Sequence, residues 1–574
     1  MTRNRQHFLA YLLAMLLVAL SACASQQGTG ARAPGDAARQ AQPSAPKILV
    51  WAGLREPGTF QAVIGLGPSG SPASEIEHVV HNYLVVQTDQ QDYVPQLAVE
   101  QPSVEKGTWR INPDGSMDTT WKIHPNVRWH DGRPLTSTDL LFTFGGSTDT
   151  ELPKSALGGL RFMESASAPD PLTFAIHWST TYVKADRDSG LAPMPAHLLE
   201  EKYRQERTEL LNSPYFNNEF VGLGPYRLVR WEPGSHMEFA RFDDYFRGRP
   251  RLDSVIVRFV GDPTTMLANI VAGAVDVATP FLSANLDAVL DVRQRWAGTG
   301  NSVRIDPTDG VRHLQLQFRP QVARPGGGLT NPVVRQAFFH AIDRPGLIEV
   351  MTRGAAPIAD SWIPPVGAMR PQVESAIPQY PYDPARARQL LAQTGWARGT
   401  DGNLVHQPTG EQFEIEIWGR PGSSSEQELS IIADNWGALG AQTKVFMVPT
   451  ARVNERELLA TYPGVLMHNP TWETIFEDRI YSKSIASAAD RWSGRNAAGY
   501  SNPRVDPLVE GLLATIDPRE RISLQRQLAH EAMTDVAFMP LYWVVRPVLV
   551  LGSIRGTVSG FATGWNIFDW DKEA

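Results

Sequence analysis

The chain carries a single cysteine among 574 residues, and that cysteine stands at position 23. No internal disulfide can form, and neither a Cys-based zinc site nor a Cys-pair redox centre is possible, so packed apolar cores have to hold the fold. One core is not enough. Single hydrophobic cores stop growing near ~250–300 residues, so a chain this long is expected to divide into two or three lobes. Its 42% hydrophobic and 20% charged residues are those of a globular protein, and 44 prolines with 47 glycines call for many turns. A formal net charge of −8, with no dense Lys/Arg cluster to offset it, excludes nucleic acid as a partner.

The position of the cysteine is informative in its own right. Arg3 and Arg5 precede an almost wholly apolar stretch, residues 8–22, that ends in small side chains, the layout of an export signal. At ~1.5 Å per residue that stretch is shorter than the ~20 residues a membrane-spanning helix needs. Its end, Leu20-Ser21-Ala22-Cys23, resembles the lipobox of bacterial lipoproteins. The resemblance implies a signal peptide over 1–22, cleavage before Cys23, and a diacylglycerol on the Cys23 thiol with further acylation of the new N-terminus. Two or more acyl chains anchor stably where one does not. Residues 24–46 lack apolar periodicity and are dominated by Ala, Gly, Gln, Pro and Ser, so 23–46 is expected to be a lipidated, flexible tether.

The folded part is expected to begin near Lys47 with the apolar strand KILVW, and no later stretch is long enough to span a bilayer. TWRINPDGSMDTTWKI predicts a hairpin turning at Pro113-Asp114-Gly115, with Trp109 and Ile111 facing Trp121 and Ile123. Asp131-Gly132 makes another turn, and Thr136 with Asp139 forms a capping box that opens a helix. Asn331-Pro332, Asp383-Pro384, Asp506-Pro507 and Asp517-Pro518 each mark a helix start, and Gly395 marks a stop. A helical pattern also runs through SEIEHVVHNYLV. No repeat of 20 to 50 residues is present, which argues against a solenoid or propeller. The chain is therefore mixed α/β.

Several motifs imitate chemistry. GLGPSG, residues 65–70, satisfies G-x-G-x-x-G, but Pro68 and Pro72 remove backbone donors where a pyrophosphate would be cradled, so it is taken as a turn-rich loop. His78 and His81 are three apart, yet no HExxH context supports a metal, and a structural role is expected. SAPK at 44–47 matches S-x-x-K without either partner motif. Glu473, Glu477 and Asp478 beside Trp472 imitate an acid/base pair next to a sugar-stacking ring; the alternatives are a binding site and a solvated helix face.

Residues 94–396, and again 500–542, resemble the bacterial extracellular solute-binding proteins of family 5, the oligopeptide and dipeptide receptors of ABC importers. The words that carry the resemblance stand in order: VPQLAVE, DGSMDTTWKIHPNVRWHDGRPLTSTDLLFTF, PAHLLE, GLGPYRLVRWEPGSHMEFARFDDYF, NPVVRQAFFHAIDRPGLIEVMTRGAAP, YDPARARQLLAQTGW and GYSNPRVDPLVEGLL. Most of these are structural. Gly224-Pro225-Tyr226 fixes a turn, and Arg335, Ala341 and Asp343 belong to a packed helix.

The resemblance implies a two-lobed, periplasmic-binding-protein-like clamshell (type II, cluster C-like) with an extra inserted domain. Lobe I would comprise 47–80, 216–310 and 551–574, the inserted domain 81–215, and lobe II 311–550. It further implies a monomeric, non-enzymatic receptor without cofactor or metal, lipid-anchored at the periplasmic or extracytoplasmic face of a membrane. Such a receptor captures a peptide or similar small polar solute between its lobes and delivers it to the permease subunits of an importer. In peptide-binding relatives a cleft aspartate pairs with the ligand α-amine. Here YPGVLMHNPTWETIFEDRIYS departs from that pattern: Glu473 takes the aspartate's place, Trp472 is displaced from the family's tryptophan position, and Asn469 lies in the same segment. GRPGSSSEQ, residues 419–427, resembles the polar loop of the same cleft, which makes Arg420 and Ser423 ligand candidates. The alternatives are a receptor for an oligosaccharide or metal chelate, and a secreted carboxylate-dependent hydrolase.

Overall fold

A computed structural model of the chain describes residues 45–574 apart from 54, 65, 67–72, 74–75, 89–91, 150, 153–157, 188–190, 280–285, 368, 422–424, 559–563 and 574. Cys23, Ser44, most of the 65–70 loop and Ser423 lie outside the described residues. Within them, no helix is long and apolar enough to cross a membrane.

The local signals act where the sequence places them. Thr136 and Asp139 form the capping box of helix Ser137–Thr148, the Thr136 N–H donating to Asp139 Oδ2 at 2.9 Å. Asn331 accepts from the Val333 N–H at 2.9 Å to open Pro332–His340. Asp383 and Asp517 do the same for Pro384–Gln393 and Pro518–Thr534. Each carboxylate or amide satisfies a first-turn N–H that has no partner within the helix. Asp506 differs. It lies inside helix Asp506–Ala514, and its carboxylate accepts from Ser482 instead.

Two expectations are corrected. The hairpin pairs Trp109 with Thr119 and Ile111 with Met117, because the turn closes on an Asn112–Ser116 hydrogen bond; Trp121 pairs with Phe174 on the next strand. Of the helix expected over 74–85, the described residues form only Glu77–Val80. There the Val80 carbonyl accepts from Gly224 N–H at 3.1 Å, and the chain turns extended at His81. A Cβ on Gly224 would lie 2.4 Å from the Val80 carbonyl carbon and 2.5 Å from Val79 O. Backbone cannot yield as a side-chain tip does, so Gly224→Ala is expected to cost about 2 kcal/mol or more, read as a lower denaturation midpoint in urea.

A ten-stranded mixed sheet organises the molecule, in the order Gln442–Met447, Glu414–Gly419, Val465–His468, Ser302–Leu316, Met539–Val550, Val277–Ala278, Ile48–Gly53, Ser254–Phe259, His236–Arg241, Tyr226–Glu232. It passes through both lobes of a two-lobed mixed α/β fold. The second-lobe end packs under a core that includes Val334, Phe338, Trp362, Trp436, Leu528 and Trp543. The first-lobe end packs on a core with Trp51, Phe60, Tyr226, Phe239 and Trp570. A separate four-stranded sheet, Trp109–Ile111, Met117–Lys122, Thr173–Trp178 and Met163–Asp170 in that order, has its own core around Trp121, Trp129 and Trp178.

The strands Ser302–Leu316 and Met539–Val550 run from one end to the other. Ser302–Pro307 pair with Val550–Val545, Val311 and Arg312 pair with Trp543 and Tyr542, and between Pro307 and Val311 the ladder is broken. Three residues, Thr308, Asp309 and Gly310, therefore carry the crossing without regular pairing. Behind it the second lobe is braced by Arg335, whose buried guanidinium donates to Asp535 and to the Leu329 carbonyl, a structural pairing.

Candidate functional site: the cleft between the lobes

In open α/β sheets ligands collect at the carboxyl ends of parallel strands. Here Glu414–Gly419 and Val465–His468 run parallel, with Ile417 beside Val465 and Trp418 beside Leu466. Two residues further on, this register puts Arg420 and His468 opposite one another. The segment that leaves His468 is pinned to the crossing strands: Thr471 bridges Gly310, and Val311 N–H donates to Pro470 O at 3.0 Å. A short helical turn, Trp472–Thr474, then opens into a wide π-type turn, Ile475–Arg479. Ile475 and Phe476 bury into the second-lobe core, with the Trp472 ring 6.4 Å from Phe476. Glu477 and Arg479, together with Glu473, remain partly exposed on the same turn.

Glu473 and Glu477 meet a lysine from the domain of the four-stranded sheet. Lys184 Nζ lies 3.1 Å from Glu473 Oε2 and 2.5 Å from Glu477 Oε1, and its side chain is 8% exposed. Tyr182 and Ala185, on either side, are buried in that domain's core, and Val183 N–H donates to Leu513 O at 3.2 Å across the gap. Burial pushes the Glu477 carboxyl above its usual range, and the Lys184 charge works against that rise. Burial likewise raises Asp309 in the crossing, opposed by Arg546 and reinforced by Glu473. It also pulls Arg521 down to about 10, with Arg187 adding to the fall and Asp186, Glu477 and Glu473 resisting it. Lys184 Nζ fills the space between the two glutamates, where a glycosidase would need a scissile bond.

Beyond His468 the lining is basic. Arg312 donates to both oxygens of fully buried Glu428, which also accepts from Tyr542 Oη. His313 and His468 are cross-strand partners with rings 6.0 Å apart. Burial depresses both, His313 to about 3; for His468 the charges of Arg479 and Arg420 add to the effect. Asp478 points away, pairing with Arg495 at 3.1 Å. Arg479 has no ion-pair or hydrogen-bond partner among the described residues, and its Nε is buried.

The structure thus brings Glu473 to Lys184, sets Trp472 against Phe476, places Arg420 at the strand end with its side chain exposed, and leaves Asn469 exposed, its N–H donating to His468 Nδ1 at 3.0 Å. Lys184, Arg479 and the Arg312–Glu428 pair are not legible in the sequence. Lys184 sits in TTYVKADRD, which has no periodic or motif signal, and its partners come from another domain. His78 and His81 are held neutral by burial, at about 4 and about 3, within aromatic packing. No cluster of three or more His, Cys, Asp or Glu suited to a metal occurs among the described residues. A groove of about 770 Å³ lined by Arg324, Glu411, Glu416, Gln442 and Lys444 lies toward the amino-terminal ends of the same strands, away from this cleft.

Residues 93–483 match the model for bacterial extracellular solute-binding proteins, family 5 Middle. The chain is 21% identical over 546 residues to oligopeptide-binding protein AppA of Bacillus subtilis, covering 93% of this chain and 92% of that protein. It is 23% identical over 501 residues to heme-binding protein A of Haemophilus influenzae, covering 82% and 83%. The solved oligopeptide binding protein from Thermus thermophilus, complexed with pentapeptide, has the same fold, with a TM-score of 0.69 at 22% identity over 92% of this chain and 96% of that one. A family match over well more than half its length, together with a fold shared nearly end to end, means that the chain belongs to the bacterial extracellular solute-binding proteins of family 5.

Proposed function

We propose that this protein is the solute receptor of an ABC importer. Exported and anchored by acyl chains on Cys23, it works as a monomer at the periplasmic or extracytoplasmic face of a membrane. It captures a peptide or similar small polar solute between its lobes and hands it unchanged to permease subunits. One observation carries the reading: charged side chains of two domains converge at Lys184, Glu473 and Glu477, beside a crossing where Thr308–Gly310 lack regular pairing. Such a geometry supports closure about a hinge and the exclusion of water from a trapped guest. Lobe I is taken as 47–80, 216–310 and 551–574, the inserted domain as 81–215 and lobe II as 311–550. Trp472, Glu473, Asn469, Arg420 and Ser423 are the proposed ligand contacts of lobe II. The heme-binding relative supports a second reading, a non-peptide solute in the same cleft.

Calorimetry of the purified protein against mixed tri- to pentapeptides, oligosaccharides and metal chelates tests the assignment, with mass spectrometry of the recovered ligand. One-site saturation by peptides, recovered intact, is expected. Saturation by sugars or chelates alone rejects the peptide, and product formation that Glu473→Gln abolishes rejects the receptor.

A further inference from the structure

The charges that line the cleft do not cancel on both sides. Around Glu473 they do: Lys184 bridges Glu473 and Glu477, Arg546 opposes Asp309, and Arg187 and Arg521 face Asp186. An ammonium already occupies the carboxylate that, by resemblance, would receive a ligand α-amine, and it is covalently part of the chain. Around His468 the balance is different. Glu428 is matched by Arg312 and Asp478 by Arg495, which leaves Arg479 and Arg420 without a paired carboxylate among the described residues. A partly exposed guanidinium whose Nε is buried and unpaired is costly unless something supplies the missing acceptor. Arg479 is pulled down to about 10, by burial first and by neighbouring Arg495 and Arg420, while Asp478 resists. The imidazoles of His313 and His468, held neutral, add no competing charge.

Resting on the receptor reading above, we propose that the cleft recognises its solute through an oxyanion, a carboxylate or phosphoryl group, bound by Arg479 and Arg420. On the same geometry Lys184 is a specificity residue: by filling the Glu473–Glu477 site it removes the need for a free α-amine. Guanidinium groups suit this role because their planar donors meet two anion oxygens at once.

Four probes separate the possibilities in calorimetric titrations of the full chain: trialanine, N-acetyl-trialanine, trialanine amide and inorganic phosphate. N-acetylation is expected to leave affinity within about threefold, whereas amidation of the carboxylate weakens it about tenfold or more. Arg479→Gln should bring the two acids down to the level of the amide; Arg420→Gln, at an exposed position, should do so without risk to folding. Lys184→Met is expected to make trialanine bind more tightly than its acetylated form. Equal binding of acid and amide, or normal binding by both arginine variants, overturns the proposal. If phosphate alone binds, and both arginine variants lose it, the peptide reading fails while the oxyanion site stands. Silence from every anionic probe, or binding of maltotriose unaffected by both substitutions, overturns the site itself.

Discussion

Lys184→Ala is expected to destabilise the protein by about 2 kcal/mol, because it leaves two partly buried carboxylates facing each other with no cation between them. Lys184 is nearly inaccessible and touches both glutamates, so its loss is not that of a surface ion pair, for which the effect would be within about 1 kcal/mol. Lys184→Met keeps the aliphatic stem and separates lost packing from lost charge. The readouts are the thermal midpoint and the small-angle scattering radius, which is expected to grow as the lobes part. An unchanged midpoint and radius would mean that the contact is incidental. Trialanine, whose amine can replace the missing ammonium, is expected to recover part of the lost midpoint; its amine-blocked form is not.

Acid is expected to unfold the protein through its buried imidazoles. His81 and His313 are almost wholly inaccessible and are depressed to about 3, in each case by burial first. In the unfolded chain a histidine titrates near ~6.5, so below that pH the unfolded state takes up protons that the folded state refuses. The stability these rings contribute is thus complete above about 6.5 and lost as pH falls toward 3, at roughly 3 kcal/mol per ring by pH 4. Glu77 works the other way. Its carboxyl is raised to about 7 by burial, so acidification from 7 to 4.5 relieves a cost. Denaturation midpoints between pH 7 and pH 4 read the sum. His313→Asn, which keeps a donor for the Val311 carbonyl, isolates one ring and is expected to flatten the acid slope. An identical slope in the variant would refute the assignment.

What the sequence discloses about this fold is what depends on near neighbours. The caps at Asn331, Asp383 and Asp517 and the box at Thr136 and Asp139 need only residues two or three positions away, and each forms as its spacing predicts. The errors have two sources: a distant segment, where Gly224 ends the helix after Val80, and the exact closure of a turn, where the Asn112–Ser116 bond sets Thr119 rather than Trp121 opposite Trp109. The site divides along the same line. Glu473 and Trp472 are reached through the resemblance, and the parallel strands carry Arg420 to the cleft. Lys184 and Arg479 escape it, because what distinguishes them is the presence or absence of a partner, and that is a property of three-dimensional approach.

The broken ladder at Pro307–Val311 has a mechanical consequence. Two antiparallel strands that pair on either side of a short gap, with one further register shift between Arg312 and His313, form a flexure: compliant to bending across the ribbon, stiff to sliding and to extension. A joint of this kind favours one path of relative motion for the segments on either side of it, so that each return along it restores the same outer surface.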